Sequence, residues 1–193
     1  MSPRLICKDC QRPESTYLCE FIVQRGSGYG LTILQHPKEA RHALSSAPLL
    51  ARSIIGSRLV VGECFEPATL LGSKWQQNSV LLYPGEPSIR VSQIVDAEIK
   101  QLVVLDGTWR KTAKLLHLNP WLLNLPRLAL QQSQRSRYRI RKSPRADGLS
   151  TIEATVQALN VLHSCQDYDA ILGAFEQMID QQIAAMGDIL ELS

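Results

Sequence analysis

No apolar run in this 193-residue chain approaches the roughly 20 residues needed to cross a bilayer, so a helical membrane protein is not expected. The opening segment, MSPRLICKDC, has no hydrophobic stretch of the signal-peptide kind, which makes the cytoplasm the expected compartment. There is no G-x-x-x-x-G-K-[ST] phosphate loop and no G-x-G-x-x-G after a strand, and Gly26-Ser27-Gly28 stands in the wrong context for either. An ATPase or a nicotinamide enzyme is therefore not expected, although a cofactor without phosphate would leave no such mark. The five cysteines, an odd number, do not read as a disulfide framework; their spacing points to metal or to buried thiols. Internal repeats and low-complexity tracts are absent, and 45% hydrophobic with 20% charged residues argues against disorder. The formal net charge of +3 is too small to announce a nucleic-acid partner by itself.

The most informative stretch present is Leu102–Trp109, LVVLDGTW. Four consecutive apolar residues read as a strand buried on both faces, as in a parallel sheet. Gly107 allows a tight turn just past the strand and Thr108 suits a helix N-cap. Asp106 is then a carboxylate in the crevice where open α/β sheets bind ligands; the alternative is an Asx-turn, with Trp109 filling core. Two other strand ends share this form, LQHP at 34–37 and LYPGE at 82–86. Three such loops meeting at one sheet edge make a cofactor-sized cleft.

Further strands are expected at Leu31–Leu34, Ser57–Val61, Val80–Tyr83 and Leu125–Leu130, and helices over 38–55 and from Lys111 to Leu118. The spacing Ser150-Thr151-Ile152-Glu153 predicts a capping box opening a helix to about His163, with a second helix from Tyr168 to Leu190. Strands alternating with helices predict a mainly parallel α/β sheet with helices on both faces. Residues 1–24 read as a separate cysteine-bearing element and 25–193 as the main domain.

Charge is unevenly distributed. Arg135, Arg137, Arg139 and Arg141 alternate along one face of an extended segment, with Lys142 and Arg145 close behind, while no Lys or Arg follows Glu153. This is either a solvated loop or, with no acidic stretch nearby, a surface for RNA phosphates. Cys7-x-x-Cys10 with Cys19 supplies three ligands of a four-ligand zinc site; Cys64, His36 or His42 completes it only if folding brings one near. His117 and His163 read as core or surface residues.

Taken in order, these residues resemble the DTW-domain family of tRNA-uridine aminocarboxypropyltransferases. The likeness runs through Cys7-x-x-Cys10 with Arg12, Cys19, LQHPKE at 34–39, LLYPGE at 81–86, VLDGTW at 104–109, LPRL at 125–128, SRYRIRK at 136–142 and LSTIEA at 149–154. It implies a SPOUT-like fold with a knotted or deeply threaded C-terminal half holding S-adenosylmethionine. It also implies transfer of the 3-amino-3-carboxypropyl group to the imino nitrogen of a tRNA uridine, with methylthioadenosine released.

Position and resemblance together make Asp106 the general base. They place Gln35, Tyr83, Leu105, Gly107, Thr108, Trp109, Leu128, Ser136, Tyr138 and Thr151 around the cofactor. Arg139 or Arg141 would hold the carboxylate of its amino-acid arm and Glu153 the ammonium, unless Glu153 only caps its helix. Arg135, Arg137, Lys142 and Arg145 are left for RNA. The chain departs from the family where the cysteine pattern ends in C-x-C: Tyr17 replaces the third cysteine, which bears on zinc and not on transfer. Two rivals remain at this stage, a SPOUT-type RNA methyltransferase and a non-catalytic RNA-binding protein. The oligomeric state is open.

Overall fold

The structure is a computed structural model; it describes residues 5–10, 12–86, 88–96, 99–130 and 149–191. The element order is β1 (Gly30–Gln35), α1 (Pro37–Ala40), α2 (Ala47–Ser53), β2 (Arg58–Val61), α3 (Pro67–Leu71), α4 (Trp75–Asn78), β3 (Ser79–Leu82), α5 (Val91–Asp96), β4 (Gln101–Asp106), α6 (Trp109–Leu118), β5 (Arg127–Leu128), α7 (Thr151–His163) and α8 (Leu172–Glu191). Short 3-10 turns lie at Glu14–Thr16, Cys19–Phe21, Pro120–Asn124 and Asp167–Ile171.

The five strands form one sheet in the order β2-β1-β4-β3-β5, every pairing parallel. The expected parallel α/β architecture is thus present, and the central strands are apolar on both faces as such a sheet requires. Alternate residues feed two cores. Ile33, Leu82, Val104 and Leu128 pack with α2, α7 and α8 around the fully buried Phe175. Leu34, Leu81, Val103 and Leu105 pack on the other face with Leu116, Leu122 and Trp121.

Chain direction sets where a ligand can bind. After β1 the chain passes to β2 on one side; after β4 it passes beyond β3 to β5 on the other. The adjacent pair β1 and β4 is therefore the topological switch point, where diverging loops leave a crevice at the carboxyl edge. Gln35 and Asp106 face each other across it in register.

Several local expectations need correction. Residues 38–55 are two helices, because Pro48 near the start of α2 has no N–H to bond back into the preceding turn. The strand expected over Leu125–Leu130 shrinks to Arg127–Leu128: Pro126 contributes only its carbonyl, accepting from Leu81 N at 2.9 Å. The last helix opens with the 3-10 turn Asp167–Ile171 and becomes α-helical at Leu172. Helices α3 and α4 lie in a stretch with no expected element, each too short to show a period. Gly107 does not have positive φ; its requirement is space, since a Cβ there would lie 3.0 Å from Lys111 Cβ.

The cysteine element is fastened to the main body. Leu18 is fully buried in the α7–α8 core, and Arg12 donates from Nε to Thr16 O at 3.1 Å and from Nη1 to Ala43 O at 3.2 Å. Burial pushes the Arg12 guanidinium below its usual range.

Candidate active site at the carboxyl edge of the sheet

Asp106 ends β4 and is 4% exposed. Gln35 Nε2 donates to its Oδ2 at 2.8 Å, and Thr151 Oγ1 donates to its Oδ1 at 2.6 Å. Gln35 Nε2 also donates to Ser45 Oγ at 2.9 Å, so both amide hydrogens are engaged and the side chain is fixed in rotation. Burial raises the Asp106 pKa above the ordinary carboxylate value, and the bonds from Thr151 and Gln35 oppose that rise. Glu39 raises it further and Lys111 lowers it, with Lys111 Nζ paired to the Glu39 carboxylate. The result is a desolvated carboxylate held on both oxygens, at the start of α7 and the end of two strands.

Thr151 stands there because α7 is strongly capped. Ser150 Oγ accepts from Glu153 N at 3.4 Å, while Glu153 Oε2 accepts from Ser150 N at 2.8 Å and Ser150 Oγ at 2.6 Å. The capping box read from the spacing is therefore formed, and it engages one oxygen of Glu153.

On the opposite side of the sheet edge, Tyr83 follows β3 and meets Trp109 edge-on, with ring centroids 6.0 Å apart. Trp109 is 41% exposed, so it does not fill core. Arg127 of β5 lies over the Tyr83 ring, its Cζ 5.9 Å from the centroid. Thr108 is exposed at the N-cap of α6 but makes no side-chain cap bond; its carbonyl accepts from Thr112 N at 2.8 Å.

Of the residues expected at a site, the fold joins Gln35, Asp106 and Thr151 directly, and Tyr83 with Trp109. The side chains of Leu105 and Leu128 belong to the two cores. Arg135, Ser136, Arg137, Tyr138, Arg139, Arg141, Lys142 and Arg145 lie outside the described residues.

Some participants were not legible as such. His36, in the LQHP motif, is buried; its Nδ1 accepts from Lys38 N at 3.1 Å, leaving the proton on Nε2, which faces Glu63 Oε1 at 3.0 Å. Glu63 also pairs with Lys114 at 2.8 Å, chiefly through which its carboxyl is lowered. This network ties the loops after β1 and β2 to α6. The motif names His36 and Glu39, but no local signal names partners so distant in the chain.

Cys7, Cys10 and Cys19 come together, their sulfurs all within 4.8 Å of one another. Cys7 and Cys19 Sγ lie 3.5 Å apart; hydrogen bonds from the Cys10 and Asp9 backbone lower the Cys7 thiol, and the bond to Cys7 pushes the Cys19 thiol up to about 11. Among the described residues no fourth ligand joins this group. Tyr17 instead bonds Glu20, His42 Nδ1 accepts from Leu44 N at 3.2 Å, and His36 is engaged as above. Three thiols can hold a metal but do not complete the closed tetrahedral zinc site.

The chain is similar in sequence to proteins already known. The DTW domain matches residues 4–183. A mouse (Mus musculus) tRNA-uridine aminocarboxypropyltransferase 2 is 31% identical over 170 residues, covering 81% of this chain and 56% of that protein. Its Drosophila melanogaster counterpart is 30% identical over 167 residues, 82% of this chain and 66% of that protein. An Arabidopsis thaliana tRNA-uridine aminocarboxypropyltransferase A is 25% identical over 133 residues, 58% of this chain and 50% of that protein. The chain thus spans about half to two-thirds the length of these curated relatives. No solved structure matches it.

Proposed function

This chain belongs to the DTW domain family, and from that premise we propose that it transfers the 3-amino-3-carboxypropyl group of S-adenosylmethionine to the imino nitrogen of a uridine in tRNA. The observation that carries the proposal is the clamped, desolvated Asp106 at the switch point, inside a domain matched from residue 4 to residue 183. Likeness to relatives bearing the transferase name over about four-fifths of the chain supports it.

A buried carboxylate, an exposed tryptophan and an uncommitted guanidinium along one edge suit a cationic nucleoside with an amino-acid arm. When bound, S-adenosylmethionine supplies an electrophilic γ-carbon and a sulfonium that leaves as the neutral thioether methylthioadenosine. Asp106 accepts the uridine imino proton as the nitrogen–carbon bond forms, a contribution of about 10²–10⁴ for a well-placed base. Its raised pKa makes it a stronger base than an exposed aspartate. Gln35 and Thr151 hold its oxygens and so act as positioning residues for the base, in addition to bordering the donor.

Tyr83, Gly107, Thr108 and Trp109 line the donor site, with Leu105 and Leu128 backing it from the cores. Ser136, Tyr138 and Arg139 or Arg141 complete the donor site, and Arg135, Arg137, Lys142 and Arg145 meet tRNA phosphate. Glu153 holds the arm's ammonium, in addition to capping α7. The threaded SPOUT-like C-terminal half, the division into 1–24 and 25–193, and a cytoplasmic setting belong to the same proposal. No helix among the described residues is long and apolar enough to cross a membrane.

Product analysis tests the reading. Incubation with unmodified tRNA and S-adenosylmethionine releases methylthioadenosine if it is right. Release of S-adenosylhomocysteine instead would make the chain a methyltransferase.

A further inference from the structure

Arg127, at the sheet edge, is a cation with a buried donor that has no partner within the protein. Its Nε is fully buried with no hydrogen-bond partner, and Nη1 has one long contact, 3.4 Å to Pro84 O. Among the described residues no carboxylate lies within ion-pairing distance of it. Glu86, close enough to feel its charge, is instead engaged by Ser88, accepting from its N at 2.8 Å and its Oγ at 3.1 Å.

The surroundings are shaped to admit the guanidinium. Gly85 has φ +110°, a conformation that favours glycine, and a Cβ there would lie 2.5 Å from Arg127 Nη1, so a side chain at this turn would displace the guanidinium from its present position. Tyr83 supplies the aromatic face beneath, and the half-exposed Trp109 stands next to Tyr83. Structural arginines use their planar fork of donors on carboxylates or carbonyls; one kept beside a cleft with donors unengaged is a receptor for an oxyanion that offers two oxygens to the fork, a carboxylate or a phosphate.

We propose that Arg127, seated on Tyr83 beside Gly85, binds an oxyanion of the transfer reaction: the carboxylate of the donor's amino-acid arm or a phosphate of the acceptor tRNA. This rests on the transferase reading above and adds a binding residue to it. The guanidinium reaches forward from β5 to the level of Pro84, one strand beyond the Tyr83 turn, on the same sheet edge as Asp106.

Calorimetry on the full chain separates the two sources. S-adenosylmethionine carries the arm; methylthioadenosine lacks it. If the carboxylate is the ligand, Arg127→Gln weakens S-adenosylmethionine binding at least tenfold and leaves methylthioadenosine unchanged. If phosphate is the ligand, both nucleosides bind as before, while tRNA binds more weakly and its log–log salt slope falls by about one.

Equal weakening of both nucleosides, or wild-type binding of all three ligands, would overturn the assignment. Arg127→Lys, which keeps the charge but not the fork, guards against a merely unfolded variant: it should recover part of the lost affinity at wild-type melting temperature. A wild-type chain that binds neither nucleoside nor tRNA would instead sink the transferase reading itself, and this assignment with it.

Discussion

On the side of the sheet edge facing α7, both oxygens of Asp106 and both amide hydrogens of Gln35 have partners inside the protein. On the side facing α6, Trp109 is half exposed, Thr108 caps nothing with its hydroxyl, and Arg127 has an unpartnered Nε. Both sides are built on the same parallel strands, a few residues apart. On the proposed reading, their difference is between a base fixed before reaction and groups left to meet what binds. Preorganisation stabilises a developing charge without reorganisation at the moment of reaction, whereas unused donors and open rings give a ligand something to gain.

The largest effect should come from removing the fixed charge. Asp106→Asn should cost about 10²–10⁴ in transfer rate while keeping affinity for S-adenosylmethionine, as measured by single-turnover kinetics beside calorimetry. Unimpaired turnover would show that Asp106 only shapes the loop. The pH profile sharpens the same point. A base must be deprotonated, so activity should rise with pH through an apparent pKa above the ordinary carboxylate value. A carboxyl raised by burial binds its proton more tightly folded than unfolded, so stability should fall as pH climbs through that same window, and both trends should vanish in Asp106→Asn.

Next come the residues that hold the base. Thr151→Val removes a bond that lowers the Asp106 pKa and should move the acid limb of kcat to higher pH. An unmoved limb with a lower rate would give Thr151 a purely structural role. On the open side, Trp109→Ala should weaken donor or tRNA binding by about 5- to 100-fold, the range for loss of one stacked ring, with little change in melting temperature. A large drop in melting temperature would make Trp109 a packing residue after all.

The smallest effect is at the cap. Ser150→Ala should lower stability by about 1 kcal/mol in denaturant titrations. Glu153→Gln preserves a capping side chain, so any loss of donor affinity in that variant reports contact with the arm and not the cap.

The chain pattern foretold the fixed side better than the open one. LVVLDGTW and LQHP placed Asp106 and Gln35 at the ends of buried parallel strands, and the Ser150–Glu153 spacing gave the start of α7. Period and capping chemistry are local, so they survive in a linear reading. What could not be read was which distant groups meet: Thr151 on Asp106, Glu63 on His36 and Lys114, and Arg127 on Tyr83 depend on strand order. The helical spacing over 38–55 is continuous, but Pro48 starts a new helix within it, so the spacing alone predicts one helix where there are two. Gly107 does lie at the bend after β4, and its close approach to α6 leaves little room for a Cβ, which no local pattern shows.

One measurement decides most directly whether this edge transfers the amino-acid arm. Unmodified tRNA is incubated with S-adenosylmethionine labelled either in the methyl carbon or in the carboxyl carbon, and label is counted in the recovered RNA. Label from the carboxyl carbon alone is the predicted result. Label from the methyl carbon alone, or none from either donor with the cofactor bound and this tRNA engaged, would contradict it.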